Sequence, residues 1–141
     1  MHKTKWGIIG SGNIAKAFAH SIKHCKDSEL ISVFGRNSKS LDQFSTKFHI
    51  DPYTDLNNFI SSKKIDAVYI ATPHNSHYFY SLEAIKNNKH VLCEKPLTMN
   101  YLESMTLLNL AKEAEVFLME AYMYRTPVSY THLRAHETSI D

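Results

Sequence analysis

Two cysteines, four glycines, four prolines and one tryptophan are all that this 141-residue chain holds of those types. The cysteines, Cys25 and Cys93, have no redox or metal-ligand spacing. A disulfide framework is therefore excluded, and reduced packing thiols in a cytoplasmic protein are expected. Long apolar runs are also lacking. The run near the N-terminus stops at Ile9 in a glycine turn, so no signal-peptide core is expected there, and nothing reaches the roughly 20 residues that span a bilayer. Charge of one sign is scarce as well: Lys+Arg number 16 against 14 Asp+Glu, a net +2. That balance argues against nucleic-acid and membrane partners. What remains is 43% hydrophobic and 21% charged, sufficient for the core of one soluble domain.

The scarce glycines are placed with a pattern. Lys5 to Ile9 is a short apolar strand, followed by Gly10-Ser11-Gly12-Asn13-Ile14-Ala15. This Gly-x-Gly-x-x-Ala turn is the dinucleotide-binding fingerprint. Gly10 allows the tight turn, Gly12 lets the backbone approach a pyrophosphate, and Ala15 lets helix and strand pack closely. The amides and positive dipole end of the helix then face the phosphates. The same residues also suit a small-residue turn with no ligand. Asn13 is placed as helix cap, and Ile14, Ala17, Phe18, Ile22 and Cys25 share the predicted inner face.

Leu30 to Phe34 is predicted as a second strand, ending in Gly35-Arg36-Asn37-Ser38. NAD binders carry an acid at this point to hold the ribose 2′-hydroxyl; here an arginine with small polar neighbours such as Ser38 stands instead. A guanidinium pairs with a 2′-phosphate and stacks on adenine, so NADP is favoured over NAD. A solvated surface arginine is the other reading.

Further segments alternate in type. Ser40 and Gln43 have capping-box spacing before a helix with Leu41, Phe44 and Phe48 inward. Ile50 to Tyr53 reads as an edge strand because of Pro52. Asp55 caps a short helix, and Asp66 to Ala71 is a strand apolar enough to be covered on both faces. It ends in Thr72-Pro73-His74-Asn75-Ser76-His77, before a helix with Tyr78, Leu82 and Ile85 inward. His90 to Cys93 is a strand ending in Glu94-Lys95-Pro96. Asn100 and Glu103 open a helix with Leu102, Met105, Leu108 and Ala111 on one face. Val116 to Met119 leads into Glu120 to Arg125. The alternation predicts an α/β fold: a Rossmann-type doubly wound parallel sheet in a three-layer α/β/α arrangement. Ligands of such sheets sit beyond the carboxyl ends of the strands. The polar clusters at those ends are therefore expected to share one crevice. His74 and His77, spaced H-x-x-H, lack further partners at ligand spacing, and no metal is expected.

Together the fingerprint, Ala71 to His77, Cys93-Glu94-Lys95-Pro96 and Met119 to Arg125 resemble the N-terminal domain of the Gfo/Idh/MocA oxidoreductases. Within that family they resemble the dihydrodiol and D-xylose dehydrogenase branch, which uses NADP. The resemblance covers about residues 3–125. It implies hydride transfer between nicotinamide and a sugar or diol hydroxyl, with Lys95 beside the nicotinamide and the reacting hydroxyl. It also implies a cis Pro96, His77 on the nicotinamide side, and Glu94 near the cofactor ribose or orienting Lys95. A homo-oligomer is compatible with this reading. A non-catalytic NADP-binding sensor or regulatory module is the alternative. Family members are much longer and complete the substrate site with a second domain. The resemblance stops near Thr126-Pro127, so residues 1–125 are expected to be the NAD(P)-binding domain. Residues 126–141 are expected to be an irregular tail, non-native on a truncated chain, with a genuine short C-terminal arm as the other reading; catalysis by this chain alone is left open.

Overall fold

A computed structural model describes residues 2–121. The elements run β1 (Thr4–Ile9), α1 (Asn13–Ile22), β2 (Ser28–Phe34), α2 (Ser38–Phe48), β3 (Asp51–Tyr53), α3 (Leu56–Ile60), β4 (Ala67–Ile70), a 3-10 turn (His74–Ser76), α4 (His77–Lys86), β5 (His90–Glu94), α5 (Tyr101–Ala114) and β6 (Leu118–Ala121). The cluster at 122–125 and the tail at 126–141 lie outside the described residues.

All six strands are parallel, in the order β3-β2-β1-β4-β5-β6. The chain builds outward from β1 to β3, then returns to the other side of β1 and builds outward again. The strand order thus reverses between β1 and β4, where the carboxyl ends leave a crevice.

Alternation along the strands divides the core between the two sheet faces. Ile8, Val33 and Tyr69 join Ala15, Ala19, Leu41, Phe44 and Phe48 under α1 and α2. Ile9, Phe34, Val68 and Ile70 point the other way, to Phe59, Tyr80, Ile85, Leu107 and Ala111 of α3, α4 and α5. The result is the expected three-layer Rossmann-type α/β/α fold.

Several local expectations are corrected. In α1 the buried residues are Ala15, Ala19 and Ile22, whereas Ile14 is 47% exposed. Small side chains let the helix sit close to the sheet, so the alanine stripe turns inward; Phe18 packs at its border. Cys25 lies beyond the helix end and is exposed rather than packed; Cys93 is buried as expected. Gly12, not Asn13, occupies the N-cap of α1, and no side chain caps it.

The cap of α2 is Asn37, whose side chain accepts from Ser40 N at 3.0 Å. The helix therefore starts before the Ser40–Gln43 pair. Asp55 caps α3 as expected, accepting from Asn57 N, and Asn100 caps α5, accepting from Glu103 N at 2.9 Å. The inner face of α5 is Leu107 and Ala111 with Leu110 and Ala114; Leu102 and Leu108 are exposed. This helix is apolar on several stripes, so periodicity alone could not choose one; packing on the core beside α4 did. The last strand starts two residues later than expected, at Leu118.

Candidate functional site

The crevice at the switch point is built from the ends of β1, β2, β4 and β5. Gly10 sits at φ +113°, where a side chain is strained, and a Cβ there would lie 2.6 Å from Ala71 O. The turn is thus glycine-dependent because it presses against the end of β4. Gly12 is different. It has φ −85°, and a Cβ added to it would meet nothing within 4 Å. Among the described residues nothing requires glycine at this position. What its missing side chain keeps free is the space in front of the helix.

That space faces the start of α1. The first intrahelical amide bond is Lys16 N donating to Gly12 O at 3.0 Å. The preceding amides of the first turn have no intrahelical acceptor, and no acidic side chain occupies that turn. Donors, dipole and free volume combine into an anion cradle, and a dinucleotide pyrophosphate fits these features.

Two adjoining clefts run along the rim and share Thr72 and Pro73. The first, about 370 Å³, is lined by Gly10 and Ser11 of the turn, Gly35, Arg36 and Asn37 after β2, and Asn75, Ser76 and Tyr80. No carboxylate lines it. The second, about 410 Å³, is lined by Gly12, Asn13, Ile14, His74, His77, Glu94 and Lys95. Of the residues expected at the site, two line neither cleft. Ser38 is exposed at the start of α2 and lines neither. Ala15 is fully buried beneath the turn, where it provides the close helix–sheet contact.

The hydrogen bonds of the rim are specific. The Ser11 and Ser40 hydroxyls share one at 2.6 Å, tying the glycine turn to α2. Ser76 Oγ donates to Thr72 Oγ1 at 2.6 Å. His77, fully buried, places Nδ1 2.7 Å from Pro96 O and Nε2 2.8 Å from Thr72 O. Glu94 is buried and its carboxylate accepts from the Tyr69 hydroxyl. Burial, reinforced by the Glu94 carboxylate, pushes the Tyr69 phenol far above its ordinary value. The Lys95–Pro96 peptide is cis, as the resemblance implied. The Lys95 side chain is exposed at the second cleft. Gly35, Asn37 and Tyr80 line the first cleft, and Ser40 and Tyr69 bond residues that line the clefts, although the sequence marks none of them as a site residue. Asn37 and Gly35 adjoin Arg36 and could have been included by position; Tyr69 and Tyr80 look like ordinary core residues until the tertiary contacts are known.

Among the described residues no three His, Cys, Asp or Glu side chains converge as a metal site, and no helix is long and apolar enough to cross a membrane.

A parallel sheet with a glycine cradle at its switch point and a lysine just beyond β5, two strands along the same rim, has the form of a nucleotide-binding oxidoreductase domain. Residues 4–122 match the model of the oxidoreductase family with an NAD-binding Rossmann fold, Gfo/Idh/MocA, and the chain belongs to that family. It is 32% identical over 135 residues to trans-1,2-dihydrobenzene-1,2-diol dehydrogenase of Xenopus tropicalis, covering 94% of this chain and 41% of the relative. It is also 32% identical over 133 residues to the scyllo-inositol 2-dehydrogenase (NADP(+)) IolU of Bacillus subtilis, with coverages of 94% and 40%. Among solved structures, KijD10, a 3-ketoreductase from Actinomadura kijaniata in complex with NADP and TDP-benzene, superposes with a TM-score of 0.81 at 27% identity, over 84% of this chain and 37% of that one. The chain thus spans about 41% of the length of the first of these relatives.

Proposed function

We propose that residues 1–125 are the NADP-binding domain of an oxidoreductase that moves hydride between nicotinamide and a sugar or diol hydroxyl. The observation that carries this is the second cleft, where the uncapped start of α1, the free space at Gly12 and the Lys95 side chain meet. The names of the similar dehydrogenases support the substrate class.

Gly12, Asn13 and Ile14 present the anion cradle for a pyrophosphate. Arg36, exposed beyond β2 with no carboxylate beside it in its cleft, provides the cation for a 2′-phosphate. Thr72, Pro73 and His74 line the wall between the two ends. Bound nicotinamide would supply the hydride acceptor or donor. Lys95 contributes a cation next to the reacting hydroxyl. It stabilises the alkoxide that develops as the hydroxyl proton passes to solvent water at the open cleft, and so favours departure of hydride from the same carbon to the nicotinamide. In the reverse direction the same charge polarises the carbonyl. His77 has both ring nitrogens occupied by backbone carbonyls, so its part is to hold the wall together.

The test is cofactor titration of the chain and its Arg36→Ala variant, followed by nicotinamide fluorescence. A charge-assisted contact is worth about 1.5–3 kcal/mol, so NADPH should bind the variant roughly 10- to 100-fold more weakly, with NADH little affected. Failure of the unaltered chain to bind either nucleotide sinks the proposal; equal loss for both cofactors sinks the 2′-phosphate role.

A further inference from the structure

The peptide unit joining Pro96 to Leu97 meets a side chain at each polar end, the His77 hold being made by the ring form with its hydrogen on Nδ1. Its carbonyl oxygen lies 2.7 Å from His77 Nδ1. Its amide, Leu97 N, donates to Glu120 Oε2 at 2.7 Å. The other ring nitrogen of His77 lies 2.8 Å from Thr72 O. One peptide plane thereby connects the loop after β4, the loop after β5 and the strand β6.

This grip lies immediately after Lys95. The Lys95 ammonium makes no ion pair or hydrogen bond among the described residues, where the ion pairs are His2–Asp66 and Glu83–Lys86. A lysine side chain is a flexible stem carrying a point charge. With no partner among the described residues, the point from which the stem starts and its Cα–Cβ direction are set by the backbone. On the side before Lys95 that backbone is anchored by strand β5 and by the Tyr69–Glu94 contact. On the side after it, the anchors are His77 and Glu120. His77 is fully buried, so the ring cannot drift. Glu120 stands on β6, paired in register with Cys93 of β5, so its carboxylate approaches from a rigid strand rather than from a loop.

We infer that His77 and Glu120 are positioning residues: by gripping the Pro96–Leu97 peptide from opposite ends they set the backbone from which Lys95 reaches into the crevice. The consequence for catalysis rests on the proposed role of Lys95 as the cation beside the reacting hydroxyl. The grip itself does not.

The full chain allows both to be tested without turnover. Lysine acetylation by acetic anhydride, read peptide by peptide by mass spectrometry, reports the Lys95 amine. Amide hydrogen exchange at Leu97 reports the grip. In Glu120→Ala, loss of the charged acceptor should speed Leu97 exchange about tenfold and change Lys95 acetylation by about threefold or more. The exposed lysines Lys47 and Lys63 should keep their rates and serve as internal standards. Glu120→Gln retains an acceptor oxygen and should restore both readings, which general destabilisation would not. His77→Gln should alter Lys95 in the same sense; if that variant fails to fold, the Glu120 pair still decides. Unchanged Lys95 acetylation in Glu120→Ala overturns the inference, as does Glu120→Gln behaving like Glu120→Ala. Saturating NADPH should slow Lys95 acetylation in the unaltered chain. If it does not, while Glu120→Ala still frees Leu97 and shifts Lys95, the cofactor reading fails and the grip stands.

Discussion

Tyr69 in the middle of β4 donates its phenol hydrogen to the carboxylate of Glu94 at the end of β5. The tyrosine ring is itself stacked on Phe18 of α1 at a centroid distance of 4.1 Å. An aromatic that reads as core in sequence thus carries a polar tip to the rim of the sheet, behind the second cleft. Its partner is a buried acid that lines that cleft. Removing the hydroxyl leaves a buried carboxylate one donor short. Tyr69→Phe should therefore lose about 1–3 kcal/mol of stability by urea denaturation. If Glu94 serves the cofactor, NADPH should also bind more weakly. An unchanged midpoint would show that water replaces the tyrosine at no cost.

Gly12 separates folding from binding. A methyl group at this position meets no atom of the described residues within 4 Å, so Gly12→Ala should fold with a loss below about 1 kcal/mol, the scale of an altered N-cap. The same methyl group would occupy the anion cradle. NADPH affinity should fall by about tenfold or more. Intact affinity would place the pyrophosphate elsewhere. At Gly10 the opposite holds: the Cβ would strike Ala71 O and φ is positive, so Gly10→Ala should lose stability as well as binding.

The two thiols should behave oppositely. Cys25 is exposed and Cys93 buried, so an aromatic disulfide reagent should modify one thiol in the native protein and both after denaturation. Burial pushes the Cys93 thiol from 9.0 up to about 12. Above pH 9 the unfolded chain releases a proton that the native chain retains, so stability falls as pH rises towards 12. Tyr69, also raised by burial, acts in the same direction at higher pH. Burial lowers Lys89, which acts with the opposite sign below its ordinary 10.5, because there the unfolded chain holds the extra proton. Cys93→Ala isolates the thiol. Relative to this variant, the unaltered chain should lose up to about 1.4 kcal/mol per pH unit above pH 9. Parallel stability curves would rule out a buried thiol that stays protonated.

Much of the candidate site is legible in the sequence because its residues cluster locally. The turn from Gly10 to Ala15, Arg36, the Thr72–His77 loop and Glu94-Lys95 each follow a strand, and parallel alternation brings all strand ends to one rim. Helix faces were less legible. In α1 the largest apolar residues are not the inward ones, because distance to the sheet favours alanine. In α5 too many apolar residues compete for one face. Asn37 was read as part of the loop, and only the helix start at Ser38 reveals it as the cap.

The sequence by itself determined the order of elements, the α/β class, the glycine cradle and the residue types at the strand ends, since these depend on short-range periodicity and turn chemistry. Tertiary structure alone decided the strand order around β1 and β4. It also decided the pairing of Tyr69 with Glu94 and the double hold of His77 and Glu120 on one peptide plane. Those contacts join residues 25, 19 and 23 positions apart. No local pattern encodes such separations. They exist because parallel pairing in register sets β4, β5 and β6 side by side, with polar groups at their ends that burial leaves no partner but each other.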